Sequence, residues 1–270
     1  LKLMVGGLNK QIYLPNMLAQ RLGYFKEQSL DVTLIDEGSG QASEEEVVAG
    51  NVDAGSGAYV HPMVLNTQGK KIETICQFGI APGEAEVVDA RLTNISSAKD
   101  LQGKNLGVTD LGSGTHVLTQ AILGSAGVDP AKASYVAVGA GDTFIAAIDQ
   151  KKISAGMTTF PTISRLVNTG KGKILVSLLT PADTRAALGG DYPFIGIFAK
   201  NDWVNGNKAV AQRLVNAYVK TLKYIHSHTA AQIADQMPPD YYASDKASYV
   251  ADLRSQIGIF GPDCRMPAGG

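Results

Sequence analysis

An internal duplication is the feature of this 270-residue sequence that most constrains its fold. Each half alternates strand-like and helix-like runs in the order strand, helix, strand, helix, strand, with glycines between them. The two copies stay in step, because Val52 aligns with Ile153 and Gly23 with Gly124, both 101 positions apart. A repeated unit of this kind predicts two similar α/β lobes.

The apolar periodicity also predicts where the elements lie. The first copy is predicted as strand 1–5, helix 14–22, strand 30–35, helix 43–49 and strand 52–55, and the second as strand 105–108, helix 117–123, strand 134–138, helix 143–150 and strand 153–156. An amphipathic stripe from Val210 to Ile225 predicts a further helix, which we expect Pro238-Pro239 to stop. Ser244 fits the N-cap of a last helix over 245–257.

The chain must cross between the lobes, and two segments are suited to it. Residues 78–88, "FGIAPGEAEVV", carry Pro82-Gly83, and residues 189–199, "GGDYPFIGIFA", carry Gly189-Gly190. Two crossings predict a discontinuous lobe 1 (1–82 plus 193–270), an inserted lobe 2 (83–192) and hinges near 80–88 and 189–196. We expect a ligand cleft between the lobes, beyond the carboxyl ends of the strands.

The loops expected at this cleft share neutral hydrogen-bond donors and aromatic rings. The predicted ligand-binding residues are Asn9, Gln11, Tyr13, Ser56, Gly57, Tyr59, Ser113, Gly114, Thr115, His116, Thr158, Thr159, Phe160 and, at the second crossing, Tyr192. Lys10 is the only cationic side chain in these loops. Helix N-termini and hydroxyls can together hold an anion, so we interpret "GVTDLGSGTHVL" (107–118) as one anion-binding loop. For Ser113 or Thr115 alone, the alternative is a helix N-cap.

Other chemistries fail on this loop. A P-loop needs a lysine after Gly114, and the dinucleotide fingerprint needs a glycine where Val117 stands. The G-x-S-x-G nucleophile turn is absent, because glycines flank Ser113 directly. His116 is a weak candidate for a catalytic base, because adjacent residues of a helix point in different directions and His116 would not reach the hydroxyl of Thr115. We interpret His61, before Pro62, as a helix-start residue, with ligand contact as the alternative.

Composition and cysteine content narrow the classes further. Net charge is −1 and no dense basic run exists, so nucleic acid and anionic membranes are not expected as partners. The four histidines and two cysteines are not spaced for a metal site, and no cofactor is expected. Cys76 and Cys264 fit two small buried residues, with a disulfide as the alternative. The chain opens on a strand pattern without a signal peptide, which we interpret as a trimmed export product or a cytosolic protein.

Several motifs resemble the nitrate/sulfonate/taurine-type solute receptors of ABC importers, a family related to thiamine-pyrimidine synthases. "LAQRLGYFKEQSLDVTLID" (18–36) matches its Gly-Tyr/Phe-Phe-Lys and Gly-Leu-Asp-Val hallmark, with Ser29 for the glycine. "VVAGNVDAGSG" (47–57) and "AKDLQGKNLGV" (98–108) match two further motifs. The resemblance runs from Leu1 to about Val204. The departures are Glu84 and Glu86 beside the hinge, and Met157-Thr158-Thr159-Phe160 in place of an acidic-proline turn.

The resemblance implies a type II periplasmic-binding-protein fold and a monomeric, periplasmic or membrane-anchored extracytoplasmic receptor that delivers its solute to a membrane permease. No nucleophile–base pair or carboxylate pair emerges from the loops, so no catalytic residue is predicted and a non-enzymatic receptor is preferred. The alternative is an enzyme of the thiamine-pyrimidine or menaquinone-pathway type using His116 or His61. Tyr13, Tyr59 and Phe160 favour a small organic anion, such as a sulfonate or carboxylate, over nitrate.

Overall fold

Two five-stranded sheets form the framework of the protein in a computed structural model that describes residues 1–268. The first sheet contains, in spatial order, β2 (Thr33–Asp36), β1 (Lys2–Val5), β3 (Ala54–Ala58), β10 (Ile195–Lys200) and β4 (Ile72–Gln77). The second contains β7 (Ser134–Ala137), β6 (Asn105–Val108), β8 (Ala155–Thr159), β5 (Glu84–Asp89) and β9 (Gly172–Leu178). Residues 269–270 of the predicted lobe 1 lie outside the described residues.

The two sheets have the same topology, which confirms the predicted pair of α/β lobes. In each, a central parallel strand (β1 or β6) lies between two parallel partners. In each, the fourth position is taken by an antiparallel strand that enters from a crossing segment, β10 in the first sheet and β5 in the second. The chain thus leaves the first sheet after Gln77 and returns to it at Ile195.

Twelve α-helices within residues 1–268 cover the sheets. They are α1 (Leu14–Arg21), α2 (Tyr24–Glu27), α3 (Gly40–Ala49), α4 (Val60–Thr67), α5 (Gly114–Ser125), α6 (Asp142–Asp149), α7 (Thr162–Asn168), α8 (Pro181–Leu188), α9 (Asn201–Gly206), α10 (Lys208–Ser227), α11 (Ala230–Ala234) and α12 (Lys246–Gln256). Short 3₁₀ segments cover Gln11–Tyr13, Ala98–Leu101, Pro130–Lys132, Pro239–Tyr242 and Ile257–Ile259. Within this described part, no helix combines the length and apolarity that crossing a bilayer requires.

The C-terminal helices correct two sequence predictions. The long helix α10 ends at Ser227 instead of running to Pro238, because Thr229 and Gln232 form a capping box that starts the separate helix α11. Asp245, not Ser244, caps α12, and its carboxylate accepts from the amide of Ser248 at 2.9 Å. Ser244 has φ 72°, a left-handed conformation that differs from the extended one typical of an N-cap.

A disulfide joins Cys76 at the end of β4 to Cys264 in the C-terminal segment, with 2.06 Å between the sulfurs. The preferred interpretation of two free buried cysteines is therefore wrong, and the alternative is correct. Cys76 is buried, and the neighbouring amide of Gln77 also donates to the carbonyl of Cys264 at 2.9 Å. The tail is thus fastened to the first sheet by a covalent bond and by a backbone hydrogen bond. Spacing alone could not establish this contact, because 188 residues separate the two cysteines.

Candidate functional site

A narrow cavity lies between the two sheets, at the ends of strands from both. Polar lining comes from both lobes: Lys10, Tyr13 and His61 on the first-sheet side, and Glu84, Thr109, Ser113, Thr115, Thr158 and Thr159 on the other. Ile12, Gly40, Ala58, Gly114, Ala140, Phe194 and Ile195 complete the wall. Its free volume, measured over positions open to the centre of a water molecule, is about 20 Å³. One water needs ~10–15 Å³ on that measure, so this conformation leaves free space for about one water molecule at the site.

The N-terminus of α5 forms one wall of the cavity. Ser113 is its N-cap, and the Ser113 Oγ accepts from the amide of His116 at 3.4 Å while donating to the carbonyl of Asp110 at 2.7 Å. Thr115 Oγ1 accepts from the amide of Thr109 at 2.8 Å and lies 2.7 Å from Ser113 Oγ. The protein therefore uses both hydroxyls itself. The amides of Gly114 and Thr115 lack intrahelical acceptors, so they are the donors that α5 offers a ligand.

Gly114 is required where the two lobes meet. A Cβ at this position would lie 2.5 Å from the ring of Phe194 and 2.9 Å from Cβ of Ala58, both on the first-sheet side. Any side chain would push the start of α5 away from the opposite wall. The glycine thus allows the helix N-terminus to close against the other lobe, which explains the residue between Ser113 and Thr115.

Lys10 supplies a cation on the first-sheet side. Its ammonium donates to the carbonyls of Gly6 at 2.7 Å and Gly38 at 3.0 Å, so one of its three N–H groups remains for a ligand. Burial lowers the pKa of Lys10 to about 8, although Glu84 and Asp36 act to raise it. The ammonium is therefore mostly protonated at neutral pH.

Glu84 supplies the opposite chemistry. It is the first residue of β5, opposite Thr159 and Leu178, and only 3% of it is exposed. Its Oε2 is buried without a hydrogen-bond partner within residues 1–268, and the hydroxyl of Thr159 on the neighbouring strand donates to the carbonyl of Gly83 at 2.8 Å. Burial raises the pKa of Glu84 to about 8, while Lys10 acts to lower it.

His61 lies at the start of α4, as its sequence interpretation predicted, and it also lines the cavity. Its Nδ1 lies 3.0 Å from Oε2 of Glu44, and both side chains are buried. The Nε2 atom has no hydrogen-bond partner within the described residues. The contact between His61 and Glu44 has the distance of an ion pair, but Oε2 of Glu44 accepts no hydrogen bond within the described residues. The Nε2 atom is available for hydrogen bonding or proton transfer at the cavity.

Six of the predicted site residues line the cavity, namely Tyr13, Ser113, Gly114, Thr115, Thr158 and Thr159. Thr158 is buried with an unpartnered Oγ1, and burial raises the pKa of Tyr13, which keeps its phenol protonated.

The other predicted residues have different surroundings. Asn9 lies in an outer groove, Tyr59 lines a surface pocket beside Cys264, and Phe160 packs in the core of the second sheet. Gln11 and Ser56 are buried. Gln11 forms hydrogen bonds with Tyr249 and Gln256, and Ser56 accepts one from Asn16.

Gly57 lies behind the wall against Phe198, and the rings of Tyr192 and Phe194 pack 6.2 Å apart. His116 accepts from the amide of Gly112 at 2.9 Å and packs on Tyr135, and burial lowers its pKa.

Ten lining residues were not among the predicted site residues, and three of them have side chains that can carry a charge: Lys10, His61 and Glu84. Their signals were present in the sequence. Lys10 is the only cation in the predicted loops, and Glu84 was singled out as a departure beside the hinge. Neither signal shows whether the side chain faces the cavity. For Glu84, the register of β5 between β8 and β9 places the residue there, and this register cannot be read from the sequence. Within residues 1–268, no three His, Cys, Asp or Glu side chains come together as a metal site.

Comparison with protein families gives one match that spans most of the chain. The model described as "NMT1/THI5 like" matches residues 12–231. The chain belongs to the NMT1/THI5-like family. This confirms the resemblance found in the sequence motifs. No curated protein matches the sequence.

Solved structures show which fold this NMT1/THI5-like protein shares. A Bordetella bronchiseptica RB50 protein is 32% identical, with a TM-score of 0.93, over 99% of this chain and 84% of its own. The alkanesulfonate-binding protein SsuA from Xanthomonas axonopodis pv. citri, bound to MOPS, is 14% identical with a TM-score of 0.75 over 99% and 86%. The nitrate-binding protein NrtA from Synechocystis PCC 6803 is 15% identical with a TM-score of 0.75 over 94% and 69%. The predicted two-lobed periplasmic-binding-protein fold is confirmed.

Proposed function

We propose that this protein is an extracytoplasmic receptor that binds a small organic solute between its lobes and hands it, unchanged, to the permease of an ABC importer. The observation that carries the proposal is the cavity itself. Polar groups from both lobes face one narrow space, and several of them lack a protein partner within the described residues. Buried polar groups are normally hydrogen-bonded, so unpartnered groups around a cavity point to a ligand.

The first-sheet and second-sheet walls together suit an oxyanion such as a carboxylate or sulfonate. One N–H of Lys10 and the first-turn amides of α5 are donors aimed at the same space. Tyr13 and Phe194 add aromatic surface that favours an organic body over a bare inorganic ion. The proposed solute is therefore a small organic molecule with an oxyanion group.

Binding would act through closure of the two lobes. We place lobe 1 at residues 1–82 and 193–270, lobe 2 at 83–192, and the hinges near 80–88 and 189–196. A solute that touches both walls binds the closed state better than the open one, and it shifts the equilibrium by that difference. No second chain is needed to complete this cavity, so we expect a monomer.

The location and partner follow from the same proposal. A disulfide between Cys76 and Cys264 is suited to an oxidising compartment outside the cytoplasm. The similar proteins SsuA and NrtA are described as periplasmic or as binding proteins for alkanesulfonate and nitrate. A periplasmic or membrane-anchored receptor that docks on a permease is the assignment that accommodates both.

Native mass spectrometry of freshly purified protein tests the receptor proposal. We expect a small organic mass that leaves on denaturation and that is chemically unaltered after prolonged incubation with the protein. Adding the recovered solute back to stripped protein should compact the molecule in small-angle X-ray scattering. A solute converted to a product, or a bound solute without compaction, would contradict the receptor proposal.

A second candidate is an enzyme on this fold that uses His61 as a general base. The buried Glu44–His61 pair, with Nε2 at the cavity, is the specific observation that favours it. His61→Gln keeps a hydrogen-bonding group but removes the base. Turnover of the recovered solute by the native protein, lost in His61→Gln, would establish the enzyme. Equal, turnover-free binding by both proteins would exclude this role for His61.

A further inference from the structure

The cavity contains one feature that an oxyanion site does not explain. Glu84 brings a carboxyl group to a wall whose other residues are apolar or carry hydroxyl, imidazole or ammonium groups, and only 3% of Glu84 is exposed. Its Oε2 is buried and has no partner, and no cationic side chain among residues 1–268 forms a salt bridge with it. A buried carboxyl without a hydrogen bond is costly, so a binding partner for it is expected from the ligand.

The geometry around β5 explains why the protein itself leaves Glu84 unsatisfied. The adjacent hydroxyl of Thr159 is used by the carbonyl of Gly83 at 2.8 Å. Lys10 influences Glu84 electrostatically, but its ammonium is held by two backbone carbonyls and not by the carboxylate. The cation and the carboxyl thus line the same cavity without pairing. The free space in this conformation holds about one water molecule, so a larger ligand enters only when the two walls move apart.

We propose that Glu84 is a specificity-determining residue, and that the solute is a small amphoteric molecule with an oxyanion at one end and a protonated nitrogen at the other. The inference rests on the proposed receptor function. The oxyanion lies against Lys10 and the N-terminus of α5, and the protonated nitrogen donates to Glu84. The positive charge on the nitrogen of the solute thereby compensates the negative charge of the Glu84 carboxylate.

A simple oxyanion meets a different situation. Two like unit charges 4 Å apart repel by roughly 4 kcal/mol near a protein surface. A bare anion beside Glu84 therefore requires the carboxyl to be protonated, whereas an ammonium group requires it to be ionised. Because burial raises the pKa of Glu84 to about 8, the two classes of ligand differ in the direction of proton exchange near neutral pH.

Matched ligand pairs test the proposal in the full chain. The pairs are glycine with acetate, β-alanine with propanoate, and aminomethanesulfonate with methanesulfonate, measured by titration calorimetry. We expect at least one amine-bearing member to bind about 10- to 100-fold more tightly than its partner, as a charge-assisted hydrogen bond predicts. Both members of a pair protonate Lys10 to the same degree, so the amine-bearing member should release more protons, or take up fewer, than its partner at pH 7.5. Comparing buffers of different ionisation enthalpy detects this difference.

Two variants make the result specific to Glu84. Glu84→Gln keeps the shape but removes the charge, so the preference within the pair should fall to near unity. The proton release due to Glu84 should vanish, which leaves only the proton uptake expected from Lys10, whose pKa is about 8. The exposed Glu45→Gln is the matched control and should behave as the native protein does. Thermal unfolding establishes that both variants remain folded.

The contrary outcomes are distinct. If the bare anion binds as tightly as its amine partner, or if Glu84→Gln retains the preference, the role of Glu84 is overturned while the receptor function stands. If no pair member binds, the small amphoteric class is overturned, and the copurified solute separately decides the receptor proposal. If a pair member is turned over, the receptor proposal itself fails.

Discussion

Three buried side-chain atoms set the chemistry of the cavity because the protein leaves them unpaired: Glu84 Oε2, His61 Nε2 and Thr158 Oγ1. Each unpaired atom lowers the stability of the folded state unless a ligand forms a hydrogen bond with it. Lys10 complements them, since two of its N–H groups are anchored and one is free. The site is thus anchored by fixed backbone contacts and open at only a few atoms, which is suited to selecting among similar small molecules.

Removing the ammonium of Lys10 should weaken binding without unfolding the protein. In Lys10→Met the aliphatic stem remains, but the charge-assisted hydrogen bond to an oxyanion is lost. We expect a decrease in affinity for the copurified solute of about 10- to 100-fold, measured by calorimetry. The exposed Lys152→Met serves as a control. Equal affinity in both variants would remove Lys10 from the site.

Glu86 should make stability depend on pH. Burial raises its pKa from 4.5 to about 8 against the hydrogen bond from Thr119. Between those values the folded state keeps a proton that the unfolded state loses, so stability falls as pH rises. Glu86→Gln should therefore gain stability relative to native protein by about 1–3 kcal/mol more at pH 8 than at pH 5. Urea unfolding at both values measures this.

Glu84 titrates in the same range, so the Glu84→Gln background isolates the effect of Glu86. Glu45→Gln, on the surface, should show the native pH dependence. A pH-independent difference between Glu86→Gln and native protein would mean that Glu86 is ionised in the fold.

Sequence reasoning identified the loops of the site better than its atoms. Ser113 and Thr115 were predicted as donors to the ligand and they do line the cavity. Their hydroxyls are nevertheless used by Asp110 and Thr109, a fact that depends on loop coordinates. His61 was recognised as a helix-start residue, but its partner Glu44 lies on another helix, α3. No local pattern joins them.

At the scale of elements, the start of α5 is the part most sensitive to shape. Gly114→Ala would place a Cβ 2.5 Å from the Phe194 ring, so we expect the lobes to be held apart. The variant should show a larger radius of gyration by scattering and a weakened affinity for the copurified solute. Alanine itself favours the helix, so the loss would not reflect helix propensity.

Gly124→Ala provides the control within the same helix. Nothing lies within 4 Å of a Cβ at this position. We expect unchanged compactness and a gain in stability of up to about 1 kcal/mol. If both variants bind and scatter as the native protein does, the close approach at Gly114 is not needed for closure.

Element order followed from the sequence, whereas several element ends did not. The glycine-punctuated alternation predicted all ten elements of the duplicated unit, and β6 was predicted at its observed bounds. The strand predicted from residue 30 begins at Thr33, because pairing with β1 starts there, where Thr33 lies opposite Lys2. The end of α10 was predicted at Pro238, but the helix ends earlier, because the capping box at Thr229 begins a separate helix within the predicted one.

At the scale of the whole molecule, a contact between lobes accompanies the closed cavity. Ser164 on α7 donates to Oδ2 of Asp252 on α12 at 2.6 Å, and both are buried. Burial raises the pKa of Asp252 to about 6, while the Ser164 hydroxyl acts to lower it. Tyr249 and Leu253 of α12 belong to the same core as the first sheet. The hydrogen bond therefore ties the helix after β8 to the opposite half.

Ser164→Ala should shift the protein towards open forms. The substitution leaves a buried carboxylate without its donor, at a cost of about 1–3 kcal/mol to the closed state. Scattering of solute-free protein should give a larger radius of gyration than for the native protein. The exposed Ser134→Ala should leave it unchanged. Identical scattering curves for all three proteins would show that this contact does not govern closure.

Breaking the disulfide should lower stability without altering the cavity. Cys264→Ser opens the covalent loop between two cysteines that lie 188 positions apart in the sequence. Loss of a disulfide typically lowers the free energy of unfolding of small disulfide-bonded domains by about 2–5 kcal/mol. Urea unfolding of Cys264→Ser beside native protein under non-reducing conditions measures the change. Unchanged stability would mean that the backbone bond from Gln77 to Cys264 suffices to hold the tail.

The position of β10 has a consequence for the order in which the chain can fold. The second sheet uses only residues 84–178, so its strands can pair while the rest is still being made. The first sheet cannot, since β4 is joined to β3 only through β10, which lies more than a hundred residues later. The strands of the amino-terminal third therefore remain an incomplete sheet until β10 is available. For a chain that emerges from its amino-terminus, at the ribosome or on export, we therefore expect the second sheet to be completed first and the first sheet last.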